Sequence, residues 1–180
     1  MSESGFSPET AYTRPTESLT KPKQMVFEKG SKEPLSGDEI KTLTDELHQA
    51  FLSLTSENPD LSGLLVVGSA ATLYEEPHRE KGVRMTHGSD LEVIPVTVSE
   101  ISDPLERSAL AEQIAQQLKQ KLEDNGVNIA VEAFYPSLYG DGEKLHTMIS
   151  EITTSLGRSE SHLLSRDLPP ENQTTTNITP

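Results

Sequence analysis

Ile40, Leu43, Leu47, Ala50, Phe51 and Leu54 recur at the three- and four-residue spacing of a single helical face. The stretch opens on Ser36-Gly37-Asp38-Glu39, a Ser-x-x-Glu capping box, and runs into Asn58-Pro59. The pattern predicts a helix between those two signals. Four apolar residues in a row, 64–67, lie between Gly63 and Gly68 and predict a short strand buried on both faces. Residues 69–74 then suit a short helix. After a charged loop at 77–89, residues 91–98 form a second apolar run and a second predicted strand, with Pro95 marking an edge or a break in pairing.

Asp103-Pro104-Leu105-Glu106 is a helix opening, with Asp as N-cap and Pro at the first helical position. Leu105, Ala109, Ile114, Ala115, Leu118 and Leu122 supply its apolar side, and Asn125-Gly126 closes it. Residues 127–134 alternate, so Val127, Ile129, Val131 and Ala133 share one face of a third strand. Asn128, Ala130, Glu132 and Phe134 share the other. A turn at Gly140-Asp141-Gly142 leads into a last helix with Leu145, Met148, Ile149, Ile152 and Leu156 inward. The order α-β-α-β-α-β-α between residues 36 and 157 predicts an α/β (α+β) domain, a small mixed sheet with packed helices.

The flanks differ in kind. Residues 1–35 carry Pro8, Pro15, Pro22 and Pro34 without sustained periodicity and are expected to be disordered or loosely packed, with Met25-Val26-Phe27 able to dock as a short strand. Residues 158–180, rich in Ser, Thr, Asn and Pro, are expected to be a disordered tail. Hydrophobic residues make up 33 % of the 180 residues and aromatics 4 %, which fits a chain that folds only in part. The absence of Cys excludes disulfides and thiolate metal sites. No window approaches the ~20 apolar residues of a membrane span, and the first residues lack an apolar signal core. The expected location is cytoplasmic, with export as an effector by another route as the alternative.

The formal charge is −14, and the first 35 residues are neutral, with five acids and five bases. The negative charge therefore sits on the central segment, which disfavours extended nucleic-acid binding but not a small anion arriving with its own cation. Asp90 and Glu92, two apart on a predicted strand, project from one face and make a candidate clamp for a divalent cation. Glu132 is a lone acid between Ala130 and Phe134 on its own face, a costly neighbourhood for a carboxylate without a partner.

Val67-Gly68-Ser69, then Asp90-Leu91-Glu92-Val93, then Val131-Glu132-Ala133 stand in an order that resembles the DNA polymerase β-like nucleotidyltransferase superfamily. Gly68-Ser69-Ala70-Ala71 and Arg84-Met85-Thr86 look most like its small bacterial members. Twenty residues separate Ser69 from Asp90, more than the compact spacing usual there, and the second acid of the pair is Glu where Asp is commoner. The resemblance implies transfer of a nucleoside monophosphate from an NTP to an acceptor (a small molecule, a protein or an RNA end) with release of pyrophosphate. It implies that Asp90 and Glu92 bind Mg²⁺ or Mn²⁺, and that Glu132 serves as a third ligand or general base. Gly68 and Ser69 would cradle the phosphates, with Arg84 or Lys81 steadying them. So small a domain leaves no room for a separate acceptor-binding unit, and a second subunit or partner protein is expected to complete the site.

The rival expectation is an inactive domain of the same fold, an acidic adaptor, antitoxin or effector. An ordinary dinucleotide-binding turn at Gly68-Ser69 ranks below both, because the further glycines of that motif are missing. His78 and His87 match no metal-ligand spacing and are expected to be solvent-exposed loop residues.

Overall fold

A computed structural model of the chain describes residues 24–74, 82–157, 160–166 and 175–177. The expectations for residues 1–23, for His78 and Lys81, and for most of 167–180 lie outside the described residues. The chain is mixed α and β. In order it forms β1 (Met25–Val26), α1 (Gly37–Glu57), β2 (Leu61–Val67), a 3-10 turn (Gly68–Tyr74), β3 (Leu91–Thr97) and α2 (Pro104–Asp124). Then come β4 (Val127–Asn128), β5 (Val131–Ala133), β6 (Leu138–Tyr139), α3 (Gly142–Ser155), β7 (Glu160–Ser165) and β8 (Thr175–Asn177).

Both long helices begin where their caps predict. The Ser36 hydroxyl accepts from the Glu39 amide at 3.1 Å, and Asp103 Oδ1 accepts from the Leu105 amide at 2.9 Å. Each side chain satisfies one of the first-turn N–H groups that have no intrahelical partner. The buried stripe of α1 is Leu43, Leu47, Ala50, Phe51 and Leu54, as its periodicity predicts. In α2 the buried stripe is Ala111, Ile114, Ala115, Leu118 and Leu122. Leu105 and Ala109, expected on that side, are exposed, and so is Leu156 beyond α3.

The main sheet is mixed and has six strands among the described residues, in the order β5-β3-β2-β7-β8, with β6 also pairing β3. β3 is antiparallel to β2 and parallel to β5 and β6, while β2 and β7 are antiparallel. β3 is thus internal, and the edge expected from Pro95 is not there. Pairing does break beside it. β5 ends at the Val93↔Ala133 pair and β6 begins at Val96↔Leu138, so the position without an N–H faces the gap between two short strands. The third predicted strand is likewise divided, its first part pairing β1 as a separate parallel ribbon and its second part entering the main sheet.

Glu160–Ser165, assigned by composition to the tail, is instead β7, inserted beside β2 with Glu160, Ser161, His162 and Leu164 buried. Two apolar layers cover the sheet. Leu64, Val66, Leu91, Val93 and Leu164 pack with α1 and α2, while Leu65, Val67, Ile94 and Val96 pack with Leu145 and Ile149 of α3. The alternation along β3 therefore puts Glu92, next to Ile94 in that series, on the α3 side.

Candidate functional site

β2 ends at Val67, which pairs with Glu92 at the start of β3. Because those strands are antiparallel, the Gly68-Ser69 turn and Asp90 lie at the same end of the sheet. Glu92 in turn pairs with Glu132 on β5. Cross-strand partners share a face, so register alone gathers the two glutamates, and Asp90 stands one residue ahead of β3. The Leu91 amide donates to the Ala130 carbonyl at 2.9 Å, which fixes the backbone on both sides of the acids.

The close contact is between Asp90 and Glu132. The charge on Asp90 pushes the Glu132 carboxyl above the usual range, burial and a hydrogen bond to Asp90 add to this, and the charge on Glu92 adds further. Lys29 works in the opposite direction. Among the described residues no group of three or more His, Asp or Glu side chains is gathered for metal coordination; the contact is a pair, with Glu92 acting from further off. The donor set still suits a divalent cation: carboxylate oxygens are hard ligands, and the excess negative charge that raises Glu132 is what a cation would relieve.

A pocket of about 220 Å³ opens beside the pair, lined by Phe27, Lys29, Ser89, Asp90 and Glu132 together with Gly88 and Ala130. Its outer wall comes from the segment preceding α1. There the Ser31 backbone lies so close to Gly88 that a Cβ on that glycine would stand 2.2 Å from the Ser31 carbonyl oxygen. The Thr86 hydroxyl also donates to that carbonyl, at 3.1 Å.

The other expected site residues are placed as follows. Gly68, at φ +72°, and Ser69 begin a seven-residue 3-10 turn rather than an α-helix. The backbone N–H groups and the Ser69 hydroxyl are thus what the turn offers an anion, without a long helix dipole behind them. Arg84 is ion-paired with Glu160 of β7, whose side chain is 5 % exposed, and the Arg84 amide donates to Thr72 Oγ1 at 2.9 Å. The acids and Gly68-Ser69 therefore lie at the same end of the sheet, while the guanidinium expected to serve phosphates there is held by a buried carboxylate.

His87 departs from its expectation. Its side chain is only 17 % exposed, with Nε2 on the Glu39 carboxylate, Nδ1 3.1 Å from the Glu33 carbonyl and the ring 5.9 Å from Phe27. The reason is tertiary: the segment before α1 folds back over the loop that carries it. Lys29 and Glu160 were not singled out by sequence. Met25-Val26-Phe27 was the available signal for the first. β7 gives almost none, having only Leu163 and Leu164 as apolar residues.

Comparisons with protein-family models, with curated proteins and with solved structures gave no match to this chain. Among the described residues no helix is long and apolar enough to cross a membrane.

Proposed function

We propose that this chain is a divalent-metal-dependent nucleotidyltransferase, moving a nucleoside monophosphate from an NTP to an acceptor hydroxyl and releasing pyrophosphate. The observation that carries the reading is the meeting of Asp90 and Glu132 from adjacent strands, with Glu92 in register with Glu132 and Gly68-Ser69 at the same end of the sheet. Asp90 and Glu132 would hold Mg²⁺ or Mn²⁺, with Glu92 adding its negative charge from further off. When bound, the ion supplies Lewis-acid activation and neutralises charge on the departing pyrophosphate.

Glu132 is suited to a second task. As the alternative to ligation, its carboxylate would take the proton of the acceptor hydroxyl as that oxygen attacks the α-phosphorus. The new bond is acceptor oxygen to α-phosphorus, and the bond broken runs from the α-phosphorus to the bridging oxygen that leaves with pyrophosphate. Gly68 and Ser69 contact the polyphosphate. The acceptor is a small molecule, a protein or an RNA end; an acidic surface argues against long nucleic acid. A pocket of about 220 Å³ is smaller than the roughly 300–1,000 Å³ of most small-molecule sites, so a second subunit or a partner completes the nucleoside and acceptor regions.

Neutralisation of Arg84 by Glu160 favours a second reading, an inactive interaction module of this architecture, an acidic adaptor, antitoxin or effector. Incubation with each labelled NTP and Mg²⁺ or Mn²⁺ separates the two. Under the enzymatic reading, pyrophosphate or a labelled adduct forms and is abolished in an Asp90→Asn, Glu92→Gln variant. Signal that survives those substitutions places the chemistry on other carboxylates, and silence with all four nucleotides favours the module.

A further inference from the structure

The segment that walls the acid pocket ends in a turn with one basic residue at its tip. The Ser31 amide donates to the Glu28 carbonyl at 3.0 Å, Gly30 has φ +93°, and no non-glycine described residue has a positive φ. These define a type II turn over residues 28–31, with Lys29 and Gly30 at its corners. The turn is tied down on both sides. The Phe27 amide donates to the Asn128 carbonyl at 2.9 Å and the Glu28 amide to the His87 carbonyl at 2.7 Å, while Ser31 is clasped by Thr86 and Gly88. Lys29 is thereby presented on the rim of the pocket that Asp90 and Glu132 line, and it is the basic residue of that lining.

We propose that Lys29 is the anion-receiving residue of this pocket, binding a non-bridging phosphate oxygen of the group that a divalent cation on Asp90 and Glu132 brings in. The assignment rests on the nucleotidyltransferase reading and adds to it a binding residue from outside the predicted domain. Its physical basis is charge balance. Asp90, Glu92 and Glu132 together carry more negative charge than one divalent cation offsets, so a phosphate group entering there needs a further positive partner. Lys29 supplies it as a flexible point charge. The pocket's size suits a phosphate group rather than a nucleoside, which fits a ligand held there by its charged end.

The test uses the full chain and two probes, Mn²⁺ alone followed by electron paramagnetic resonance, and inorganic pyrophosphate with saturating Mn²⁺ followed by calorimetry. Lys29→Met is expected to bind Mn²⁺ alone as tightly as the parent or more tightly, because a repelling charge has gone. Its affinity for pyrophosphate with Mn²⁺ is expected to fall about tenfold or more, and Lys29→Arg to restore it to within about threefold. If Lys29→Met keeps the parental pyrophosphate affinity while Asp90→Asn, Glu132→Gln abolishes Mn²⁺ binding, the Lys29 assignment is wrong and the acid site stands. Loss of Mn²⁺ and pyrophosphate affinity together, with a lowered unfolding midpoint, would make Lys29 merely structural and also overturns it. A parent chain that binds no Mn²⁺ removes the underlying site reading and Lys29's role with it.

Discussion

Asp90 and Glu132 bring their carboxyl groups close together across the β3–β5 junction, on backbones joined by the Leu91 amide and the Ala130 carbonyl at 2.9 Å. Two acids so placed oppose each other at neutral pH, and a folded chain that keeps them together gives up some stability to do so.

Glu132→Gln should therefore stabilise the metal-free protein at pH 7. The folded-state pKa of Glu132 lies above the ordinary 4.5, so ionised Glu132 disfavours the native state. The penalty is absent below the unfolded-state pKa and grows as pH rises through 4.5 toward the folded value. The group is exposed and screened, which limits the gain to about 1 kcal/mol or less. Thermal unfolding of both proteins at pH 4 and pH 7 checks this: the difference should appear only at the higher pH and shrink with salt. Added Mg²⁺ or Mn²⁺ should raise the parent's midpoint more than the variant's.

The His87–Glu39 contact sets a second pH window. Burial alone would depress the His87 pKa, but the hydrogen bonds to Glu39 and the Glu33 carbonyl, with the charges of Glu39 and Glu33, raise it above 6.5. Burial likewise works against Glu39, whose bonds to His87 and Ser36 bring its pKa below 4.5. The histidine contribution is complete below pH 6.5 and fades as pH rises through the folded His87 value. The Glu39 contribution is complete above pH 4.5 and fades as pH falls through its own folded value. Urea unfolding of the parent against Glu39→Gln should show the largest difference between about pH 5 and 6.5, narrowing on both sides. A difference that instead widens at pH 8 would mean that the imidazolium does not hold this contact.

Helical spacing puts Leu118 and Leu105 on one apolar stripe, yet Leu118 is fully buried and Leu105 is 79 % exposed. Leu118→Ala should cost about 2–5 kcal/mol and Leu105→Ala no more than about 0.5 kcal/mol, read from chemical denaturation. Equal costs would contradict the placement of α2 on the sheet.

Ser36→Ala should cost about 1 kcal/mol, because it leaves the Glu39 amide without its cap. Ser36→Asp, which restores an acceptor at the same position, should recover most of that loss in the same unfolding experiment.

The candidate site was legible to different depths. Asp90 and Glu92 are readable as a same-face pair because strand alternation is local, and Glu132 stands out because its neighbours on that face are apolar. That Glu132 comes opposite Glu92 and within reach of Asp90 is a matter of register between β3 and β5, which no short window encodes. Arg84 looked available for phosphates because its partner, Glu160, sits in a stretch that reads as tail. His87 looked exposed because nothing near it in sequence says that residues 27–33 fold over it.

The sequence by itself determined the helices, their caps, the two long apolar strands and the mixed character of the fold. Those follow from interactions within a few residues: capping hydrogen bonds, 3.6-residue and two-residue periodicity, and the φ limits of proline. Only the tertiary structure decided that β3 is internal, that β7 enters the sheet beside β2, and that Lys29 lines the same pocket as Asp90 and Glu132. Each of these depends on backbone hydrogen bonds and charges brought together from distant parts of the chain. Such pairings are selected by burial of the whole sheet and leave no periodic trace in the segments they join.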